Sequence, residues 1–389
     1  MGADPCFLLR PDSVFSFFRK GATPMAHFYA LALGKAGDYQ REMLSCTILE
    51  HLSLAVEAAG GELYLASDKT EGCEITTTDF WKKAGSGQTL LFLAPAAGIS
   101  ADTVVRLVSQ TEPACLVAGR APLAVFGQAD ALQKADLANL PGDLAQVQAG
   151  PGEGMVVENT ESAYVVQEQL RRRINMFWMQ KGVMLVDPNT THISPKASLA
   201  PGCTLLPGCL IYGESVVGEG SVIGPNALLK NAKIGAHVTV NASQITDSSV
   251  GDNTTVGPFA YIRPGCVIGE KARIGDFVEL KNSTIGDGTK VSHLTYIGDS
   301  DFGKGINVGC GVVTVNYDGK KKYRTTVEDH AFIGCNVNLV SPVKVGKGAY
   351  LAAGGTITEE VPEDALVVAR ARATVKPLWA KKRRDEGKL

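Results

Sequence analysis

The chain has 389 residues, of which 45% are hydrophobic and 20% are charged, and its formal net charge at pH 7 is -2. These values are ordinary for a soluble globular protein of about two domains, and they exclude a strongly basic nucleic-acid-binding protein or a protein held on an anionic membrane surface. No apolar run approaches the roughly 18 residues of a membrane-spanning helix, and segment 1–21 is too broken by charge and proline for a secretory signal.

The cysteines and histidines are scattered along the chain. The nine cysteines are odd in number and form no CxxC pair, and the six histidines show no metal-ligand spacing. We therefore predict reduced thiols, a cytoplasmic protein and no metal site.

The first half alternates short apolar segments with helical periodicity. Strands are predicted at 26–34, 61–67, 89–95 and 114–119. A helix is predicted over 41–60, where the periodic segment ends on a glycine. A second helix is predicted over 99–110, with Ser100 as its N-cap and three valines, Val104, Val105 and Val108, on one face. This order of elements indicates a small α/β domain.

A helix over 160–182, stopped by Gly182, is predicted to connect the two halves. The predicted domain boundaries are 1–155 for the α/β domain, 156–188 for the linker helix, 189–365 for a repeat domain and 366–389 for a basic C-terminal tail.

From Ile193 onward an aliphatic residue recurs at about every sixth position, as far as Ile357, with an irregular stretch between Leu229 and Val250. A period of six fits neither a helix nor one long strand. It fits a short strand followed by a tight turn, three of which close one coil of a parallel β-helix. The aliphatic residues are therefore predicted to point inward.

One long segment, TVNYDGKKKYRTT at 314–326, interrupts this repeat. The step from Thr314 to Val327 is 13 residues, which is too long to fit inside a coil. The segment must project outward, where loops commonly carry function. Because a regular β-helix is only a scaffold, we predict that functional residues lie in this loop and on the coils beside it.

Several polar motifs follow one another along the second half. They are GPFAYIRPG (257–265), FVELKNSTIG (277–286), SHLTYIGD (292–299), NVGCGVVTVNYDGKKKYRT (307–325) and LAAGGTI (351–357), preceded by RRRIN…GVMLVDP (171–188). Over about residues 160–380 these motifs resemble the bifunctional N-acetylglucosamine-1-phosphate uridyltransferase / glucosamine-1-phosphate N-acetyltransferase family. The resemblance implies a left-handed parallel β-helix that works as a homotrimer, with active sites between neighbouring copies. It also implies acetyl transfer from acetyl-CoA to the amine of glucosamine 1-phosphate, supplying UDP-N-acetylglucosamine and cell-wall synthesis.

The resemblance assigns roles to individual residues. His293 matches the catalytic base, and a neutral imidazole is suited to accept a proton near pH 7. Glu279 matches a carboxylate that would orient this imidazole. Arg263 and Lys281 match residues that hold the sugar phosphate. The guanidinium of an arginine can bind two phosphate oxygens at once, and the ammonium of a lysine adds a point charge.

Further positions follow from the same motifs. The sugar-contact positions are Tyr296 and Asn307, and the loop contributes Asn316, Tyr317 and Lys322, with Asn316 placed to hold the substrate amine. The positions on the acetyl-CoA side are Cys310, Cys335, Ala353 and Arg370. The first three would line the pantetheine channel through backbone groups, and the family often has alanine and serine where the two cysteines stand. Arg370 would contact a CoA phosphate.

The first half departs from the family pattern. The family's uridyltransferase domain opens with a glycine-rich loop of the LAAGxGTRM kind, whereas this chain has YALALGKAGDYQ at 29–40. The Gly-Asp that would supply a magnesium ligand becomes LFLAPAAG at 91–98, and an alanine side chain cannot ligate Mg²⁺. We expect uridyl transfer to be lost, with Mg²⁺ required only if the first half is active. The domain is then either a truncated, degenerate Rossmann-like nucleotidyltransferase or an unrelated α/β module that binds a regulator or partner.

Other functions remain open at this point. The protein could acetylate another amino sugar phosphate, or retain both activities of the family. A β-helix hydratase would need three convergent histidines, whereas only His293 and His330 lie even roughly near one another in the repeat. A scaffold or sensor is the non-enzymatic alternative. Arg263 and Lys281 favour a phosphorylated acceptor.

Overall fold

The structure, a computed structural model, describes residues 27–34, 39–68 and 73–389. Segment 1–21 lies outside the described residues, as do positions 35–38 of the segment at 29–40 that replaces the family's glycine-rich loop. The chain divides into two compact units, one ending at Pro258 and one beginning at Phe259. Within the described ranges, no helix has the length and apolarity needed to cross a membrane.

The first part of the N-terminal unit is the α/β domain. Its strands are β1 (Phe28–Ala32), β2 (Glu42–Met43), β3 (Cys46–Thr47), β4 (Gly61–Ala66), β5 (Glu74–Ile75), β6 (Gln88–Phe92), β7 (Ala96–Ala97), β8 (Ala114–Ala118), β9 (Ala121–Gln128), β10 (Ala145–Gln148) and β11 (Met155–Val156). Its helices are α1 (Ile48–Ala58), α2 (Thr77–Ala84), α3 (Ala101–Val108) and α4 (Ala129–Leu132).

A mixed sheet forms the centre of this domain. Seven of the described strands pair in the order β10-β8-β9-β6-β1-β4-β5. Strands β6, β1, β4 and β5 run parallel to one another and β10 runs parallel to β8, whereas β9 is antiparallel to both β6 and β8. The four predicted strands are confirmed as β1, β4, β6 and β8. Strand β9 was not predicted, although it lies in the middle of the sheet.

The helix predicted over 41–60 is wrong at its N-terminal end. It begins only at Ile48, and the residues before it form the hairpin of β2 and β3. The hairpin turns at Leu44 and Ser45, which have φ values of 53° and 62°. Both Met43 and Leu44 are buried in this hairpin, so apolar spacing alone did not distinguish it from a first helical turn.

Side-chain caps begin helices α1 and α3 of this domain. The Glu50 backbone N–H donates to Thr47 Oγ1 at 3.2 Å, and the Thr47 N–H donates to Glu50 Oε2 at 2.7 Å, which together form a capping box for α1. Ser100 is confirmed as the N-cap of α3, because its Oγ accepts the N–H of Thr103 at 3.2 Å. The buried face of α3 includes Val104, whereas the other two predicted valines are only half-buried.

The predicted linker helix is confirmed as α5 (Thr160–Gln180), which ends just before Gly182 at φ 85°. Two buried residues on α5 bind the start of the β-helix. The Arg171 guanidinium donates to the Pro188 carbonyl, and Asn175 Nδ2 donates to the same carbonyl at 2.8 Å and to the Thr191 carbonyl at 3.0 Å. These bonds satisfy backbone groups at the first coil, which has no coil before it to pair with.

The remainder of the N-terminal unit consists of β-helix coils with three parallel sheets. The strands of the first sheet are Met184–Leu185, Thr204–Leu205, Val222–Ile223, Thr239–Val240 and Thr255–Val256. Those of the second are His192–Ile193, Leu210–Tyr212, Leu228–Lys230 and Gln244–Thr246. Those of the third are Ser198–Leu199, Val216–Val217, Lys233–Ile234 and Ser249–Val250.

The stretch between Leu229 and Val250 also belongs to the repeat. Ile234, Val240 and Ile245 are buried in it and continue the series. Three of the four steps from Leu229 to Val250 are five residues long, and this shorter spacing is why the sixfold period alone did not identify the stretch as part of the repeat.

The coils of the C-terminal unit have three sides, each formed by parallel strands, which we call faces 1, 2 and 3. Face 1 consists of Arg273–Asp276, Lys290–His293, Asn307–Val308, Phe332–Ile333, Tyr350–Leu351 and Leu366–Val367. Face 2 consists of Tyr261–Ile262, Glu279–Lys281, Tyr296–Gly298, Val313–Val315, Asn338–Val340 and Thr356–Ile357. Face 3 consists of Val267–Ile268, Thr284–Ile285, Ser300–Phe302, Thr325–Val327 and Val343–Val345. A short helix, α6 (Trp379–Asp385), follows the coils.

The left-handed parallel β-helix fold is confirmed. The inward positions predicted from the sixfold period are buried throughout, from Ile193 to Ile357, with at most 5% of any of them exposed. Burial of one aliphatic residue per strand stabilises each coil by removing apolar surface from water.

We expect Ile297→Ala to destabilise the β-helix by about 2–5 kcal/mol, because Ile297 is fully buried and truncation leaves a cavity. Urea denaturation followed by circular dichroism would measure the loss. Val267→Ala is the matched control, since Val267 is 53% exposed on face 3 and its truncation should change the free energy of unfolding by less than about 0.5 kcal/mol. Equal losses in the two variants would contradict the inward packing.

Candidate active site

His293 lies where face 1 turns into face 2. It is paired in register with Asp276, one coil earlier. The imidazole Nδ1 lies 2.5 Å from Asp276 Oδ1, and the side chain of His293 is 51% exposed. The hydrogen bond with His293 holds the pKa of Asp276 below its ordinary value. The predicted base is therefore accessible to solvent and contacts an ionised carboxylate.

The carboxylate expected to orient His293 was Glu279, and the structure corrects this expectation. Glu279 lies on face 2, where its Oε1 accepts a hydrogen bond from Arg263 Nη1 at 2.9 Å. The carboxylate that contacts His293 is that of Asp276. The sequence analysis missed Asp276, although it precedes His293 by 17 residues, close to the length of one coil.

Three predicted substrate-binding cations come together at face 2. Arg263 and Lys281 follow its inward residues Ile262 and Leu280, which are paired in register on adjacent coils. Lys322 reaches the same place from the projecting loop. A side-chain hydrogen bond with Lys281, together with the charge of Lys281, lowers the pKa of Lys322, and the charge of Arg263 acts in the same direction. Cations that repel one another at one surface are suited to a dianion such as a phosphate.

A buried carboxylate lies beneath these cations. Asp299 Oδ1 accepts a hydrogen bond from Asn282 Nδ2 at 2.7 Å, Asp299 Oδ2 accepts one from Asn316 Nδ2 at 2.5 Å, and Lys281 Nζ lies 3.5 Å from Oδ2. Burial raises the pKa of Asp299, but the Asn282 hydrogen bond and the Lys281 charge outweigh it and leave the pKa below its ordinary value. Asp299 thus fixes both Lys281 and Asn316, which is 8% exposed at the base of the loop.

The projecting loop is a small hairpin closed by its own side chains. Asp318 Oδ1 accepts the backbone N–H groups of Lys320 at 2.7 Å and Lys321 at 2.6 Å, and Tyr317 pairs with Lys322 in an antiparallel bridge. Tyr317 is 56% exposed. The expected outward projection is confirmed, and the interruption of the repeat places Lys322 beside face 2.

The return of the loop is anchored by a two-bond ion pair. Arg324 Nε and Nη2 lie 2.7 and 2.5 Å from the two carboxylate oxygens of Asp301, and Nη1 donates to the Asn282 carbonyl at 3.1 Å. A guanidinium bound at both carboxylate oxygens holds its geometry better than a single contact. The loop is therefore fixed to face 3 at its C-terminal end.

The two predicted sugar-contact residues lie on different faces. Tyr296 is on face 2, where its hydroxyl covers Gly298: a Cβ atom there would lie 2.3 Å from the tyrosine oxygen and 2.8 Å from Asn316 Nδ2. Asn307 is exposed on face 1, across the corner that carries His293. Within one chain, the structure therefore brings Tyr296, but not Asn307, onto the face with the cations.

The predicted acetyl-CoA positions follow one line along the corner of faces 1 and 2. The Asn336 N–H donates to the Cys310 carbonyl and the Gly354 N–H to the Cys335 carbonyl, each at 2.8 Å. These positions lie on successive coils, and the next is Ala353, whose carbonyl accepts a hydrogen bond from Arg370 Nη1 at 3.0 Å. His293 occupies the same corner one coil before Cys310, since Val291 and Val308 are paired in register.

In the first half, the segment that replaces the family's magnesium ligand forms part of β6 and then β7, which pairs with β11. Ala96 and Ala97 of β7 are fully buried. In the part of the chain that the structure describes, no three histidine, cysteine, aspartate or glutamate side chains group as metal ligands would.

The second half of the chain is similar to a known protein family and to known proteins. Residues 247–282 match the family described as bacterial transferase hexapeptide (six repeats). The bifunctional protein GlmU of Clostridium beijerinckii is 52% identical over 217 residues, which are 56% of this chain and 48% of that protein. GlmU of Acetivibrio thermocellus is 52% identical over 214 residues, or 55% of this chain and 46% of that protein.

The resemblance to GlmU is confirmed for the second half of the chain. The chain spans about half the length of the GlmU proteins that it matches. Among solved structures, the UDP-N-acetylglucosamine acyltransferase of Francisella novicida aligns with 20% identity and a TM-score of 0.29, over 52% of this chain and 74% of that one.

Proposed function

We propose that this protein transfers an acetyl group from acetyl-CoA to the amine of glucosamine 1-phosphate. The observation that carries the proposal is the placement of His293, a half-exposed base held by a carboxylate, at the edge of a face on which Arg263, Lys281 and Lys322 converge. A base beside a phosphate-binding surface is the arrangement that an amino sugar phosphate requires. The similarity to GlmU over the same residues supports this choice of substrate.

The acceptor would bind through its charged and polar groups. Arg263, Lys281 and Lys322 would hold the phosphate, and Tyr296 would contact the sugar. Because Asn316 is fixed by Asp299, its amide is preorganised for the acceptor nitrogen. Removal of any one of these three cations would therefore weaken acceptor binding, while the base on the corner would remain in place.

The reaction would proceed by direct attack of the amine on the thioester. The nitrogen electron pair forms the new C–N bond, its proton moves to the free ring nitrogen of His293, and the C–S bond breaks with its electron pair on sulfur. The proton on the imidazole then neutralises the thiolate, so that CoA leaves as a thiol. Cys310, Cys335 and Ala353 would line the pantetheine arm through their backbone, with Arg370 at a CoA phosphate.

We further propose that the protein works as a homotrimer in which a neighbouring copy completes this site. Three exposed apolar residues, Phe259, Phe277 and Leu294, occur at corner positions beside the base, with 57%, 57% and 58% of their surfaces exposed. The rings of Phe259 and Phe277 stack with centroids 5.4 Å apart. An exposed apolar cluster of this kind favours protein–protein contact. A neighbouring copy bound there would also supply groups that lie away from face 2 within one chain. Asn307, which lies on face 1, is one such group.

We expect Phe277→Ser to weaken self-association, because it replaces a large apolar contact by a small polar one. Sedimentation equilibrium would show the mass of the assembly falling from three chains toward one at micromolar concentration. Val267→Ser, an exposed apolar position on face 3, should leave the mass unchanged. An unchanged mass for Phe277→Ser would exclude this cluster from the contact between copies.

For the first half, we propose that uridyl transfer is lost. The proposal rests on the alanines at the position of the family's magnesium ligand and on the departures at 29–40. The degenerate nucleotidyltransferase and the unrelated binding module both remain compatible with an α/β sheet. Mg²⁺ is then not needed for acetyl transfer.

One assay tests the activity directly. The purified chain is incubated with acetyl-CoA and glucosamine 1-phosphate without added metal, and release of the CoA thiol is followed. A parallel reaction contains N-acetylglucosamine 1-phosphate, UTP and Mg²⁺. Thiol release without pyrophosphate formation is the expected result. Silence with glucosamine 1-phosphate but turnover of another amino sugar phosphate would overturn the substrate, and pyrophosphate would overturn the loss of uridyl transfer.

A further inference from the structure

We propose that Asp276 is a positioning residue for His293, and that its carboxylate holds the imidazole in the one tautomer that can act as the base. The inference rests on the proposed function and deepens it, because it says how the same site prepares its base for the proton of the amine. The resemblance assigned a carboxylate on face 2 to this role, so the pair described here comes from the structure.

Backbone contacts show that the pair is built into the corner. Asp276 and His293 are paired in register on adjacent coils of face 1. The Leu294 N–H donates to the Asp276 carbonyl at 2.9 Å, and Thr295 Oγ1 donates to the His293 carbonyl at 2.7 Å. Both side chains therefore start from fixed backbone positions, and their contact does not depend on the chance meeting of two mobile surface groups.

The hydrogen bond determines which ring nitrogen is free. An ionised carboxylate can only accept, so His293 Nδ1 must carry the hydrogen that bonds to Asp276 Oδ1 at 2.5 Å. Nε2 then keeps its lone pair and can receive a proton from the substrate amine. When the imidazole becomes charged during the reaction, the carboxylate stabilises that charge.

The other charged and titratable groups near His293 make this carboxylate important. Arg273 lies on the same strand as Asp276, Lys290 lies on the strand of His293, and these two residues are paired in register. The next coil contributes the thiol of Cys310 at the same corner. These two cations oppose protonation of the imidazole. Two other carboxylates of the same coils, Glu279 and Asp287, are paired with Arg263 and Lys304, whereas the Asp276 carboxylate contacts the imidazole and favours its protonation.

The test compares Asp276→Asn and Asp276→Ala with the wild type. Asparagine keeps an oxygen that can accept from Nδ1 but removes the charge, whereas alanine removes both. We expect Asp276→Ala to lower kcat by about 10–100-fold, which is a modest part of the rate enhancement that a general base supplies. KM for glucosamine 1-phosphate should change little. Asp276→Asn should lose less activity, and the acid limb of its rate profile should move to lower pH, because the uncharged neighbour no longer favours the protonated ring.

A second measurement does not depend on turnover. Nuclear magnetic resonance of histidine-labelled protein, with the His293 signal identified by its loss in His293→Ala, reports the tautomer and the titration midpoint of that ring. The midpoint should fall in Asp276→Asn, and the Nδ1–H tautomer should lose its predominance in Asp276→Ala. Asp287→Asn is the matched control, since the Asp287 carboxylate pairs with Lys304 at another corner of the unit and should change neither measurement.

The outcomes separate the two proposals. An unchanged midpoint and tautomer in both Asp276 variants, with unchanged kcat, would overturn the positioning role even if the enzyme is active. Altered ring titration in a protein that acetylates no amino sugar would support the positioning role and refute the proposed function. A uniform loss of activity at all pH values in Asp276→Asn, with a normal His293 titration, would indicate a merely structural role and would also overturn the proposal.

Discussion

His293→Ala should lower kcat for acetyl transfer by about 10²–10⁴-fold, the range that a positioned general base supplies. The substrate amine would then have to lose its proton to water, while the cations on face 2 would still bind the acceptor. KM for glucosamine 1-phosphate should therefore change little. Release of the CoA thiol at saturating acetyl-CoA, measured across substrate concentrations, separates kcat from KM.

The fold should survive this substitution. The side chain of His293 is 51% exposed, so its truncation removes little buried surface. His330→Ala is the matched control, because His330 is another exposed histidine at a turn of the same unit, with φ 61°. Comparable kcat values for His293→Ala and the wild type would remove His293 from the reaction. Equal loss in both histidine variants would point to a general effect on the β-helix.

Arg263→Ala and Lys281→Ala should each raise KM for glucosamine 1-phosphate by about 10–100-fold with a smaller effect on kcat. Each substitution removes a charged donor to the phosphate, and hydrogen bonds to charged groups are among the stronger ones in proteins. The substitution Arg263→Ala also removes the ion-pair partner of Glu279, and the uncompensated Glu279 carboxylate would then repel the phosphate. Steady-state kinetics with the phosphorylated acceptor would measure both variants.

The specificity of the effect can be checked with the acceptor itself. Glucosamine without a phosphate should be a poor substrate for the wild type, and the two variants should use it about as well as the wild type does. Lys304→Ala serves as the control variant, because Lys304 is a surface cation paired with Asp287 away from face 2. A loss of the same size with both acceptors would show that Arg263 and Lys281 do not recognise the phosphate.

Much of the fold could be predicted from local patterns. The sixfold period identified inward residues such as Ile193 and Ile357, which are buried, and Ser100 was recognised as a cap from its place before an apolar helix. The projecting loop followed from the length of one interruption. The hairpin at 42–47 did not, because its apolar residues also suit a helix and only the tight turn at positive φ tells the two apart.

Strand β9 was missed for a related reason. It lies between β6 and β8 and is antiparallel to both: β8 directly precedes it in the chain, whereas β6 is separated from it by β7, α3 and β8. Its first two residues, Ala121 and Pro122, are exposed, and a proline near the start of the segment argues against a central strand. Sheet order is a long-range property, which local periodicity does not report.

The site shows the same division between sequence and tertiary structure. The motifs alone predicted the proposed base, the three cations and the loop, because these residue types carry their chemistry wherever the fold places them. The partner of the base could not be found this way. Five-residue steps, such as the one from Leu280 to Ile285, shorten a coil from 18 residues to 17, and this shift brings Asp276 beside His293 where an 18-residue coil would bring Gly275. The amino-acid sequence by itself therefore determined which groups are available for chemistry, whereas only the stacking of the coils decided which of them touch, because contacts across a β-helix depend on where each corner is cut short.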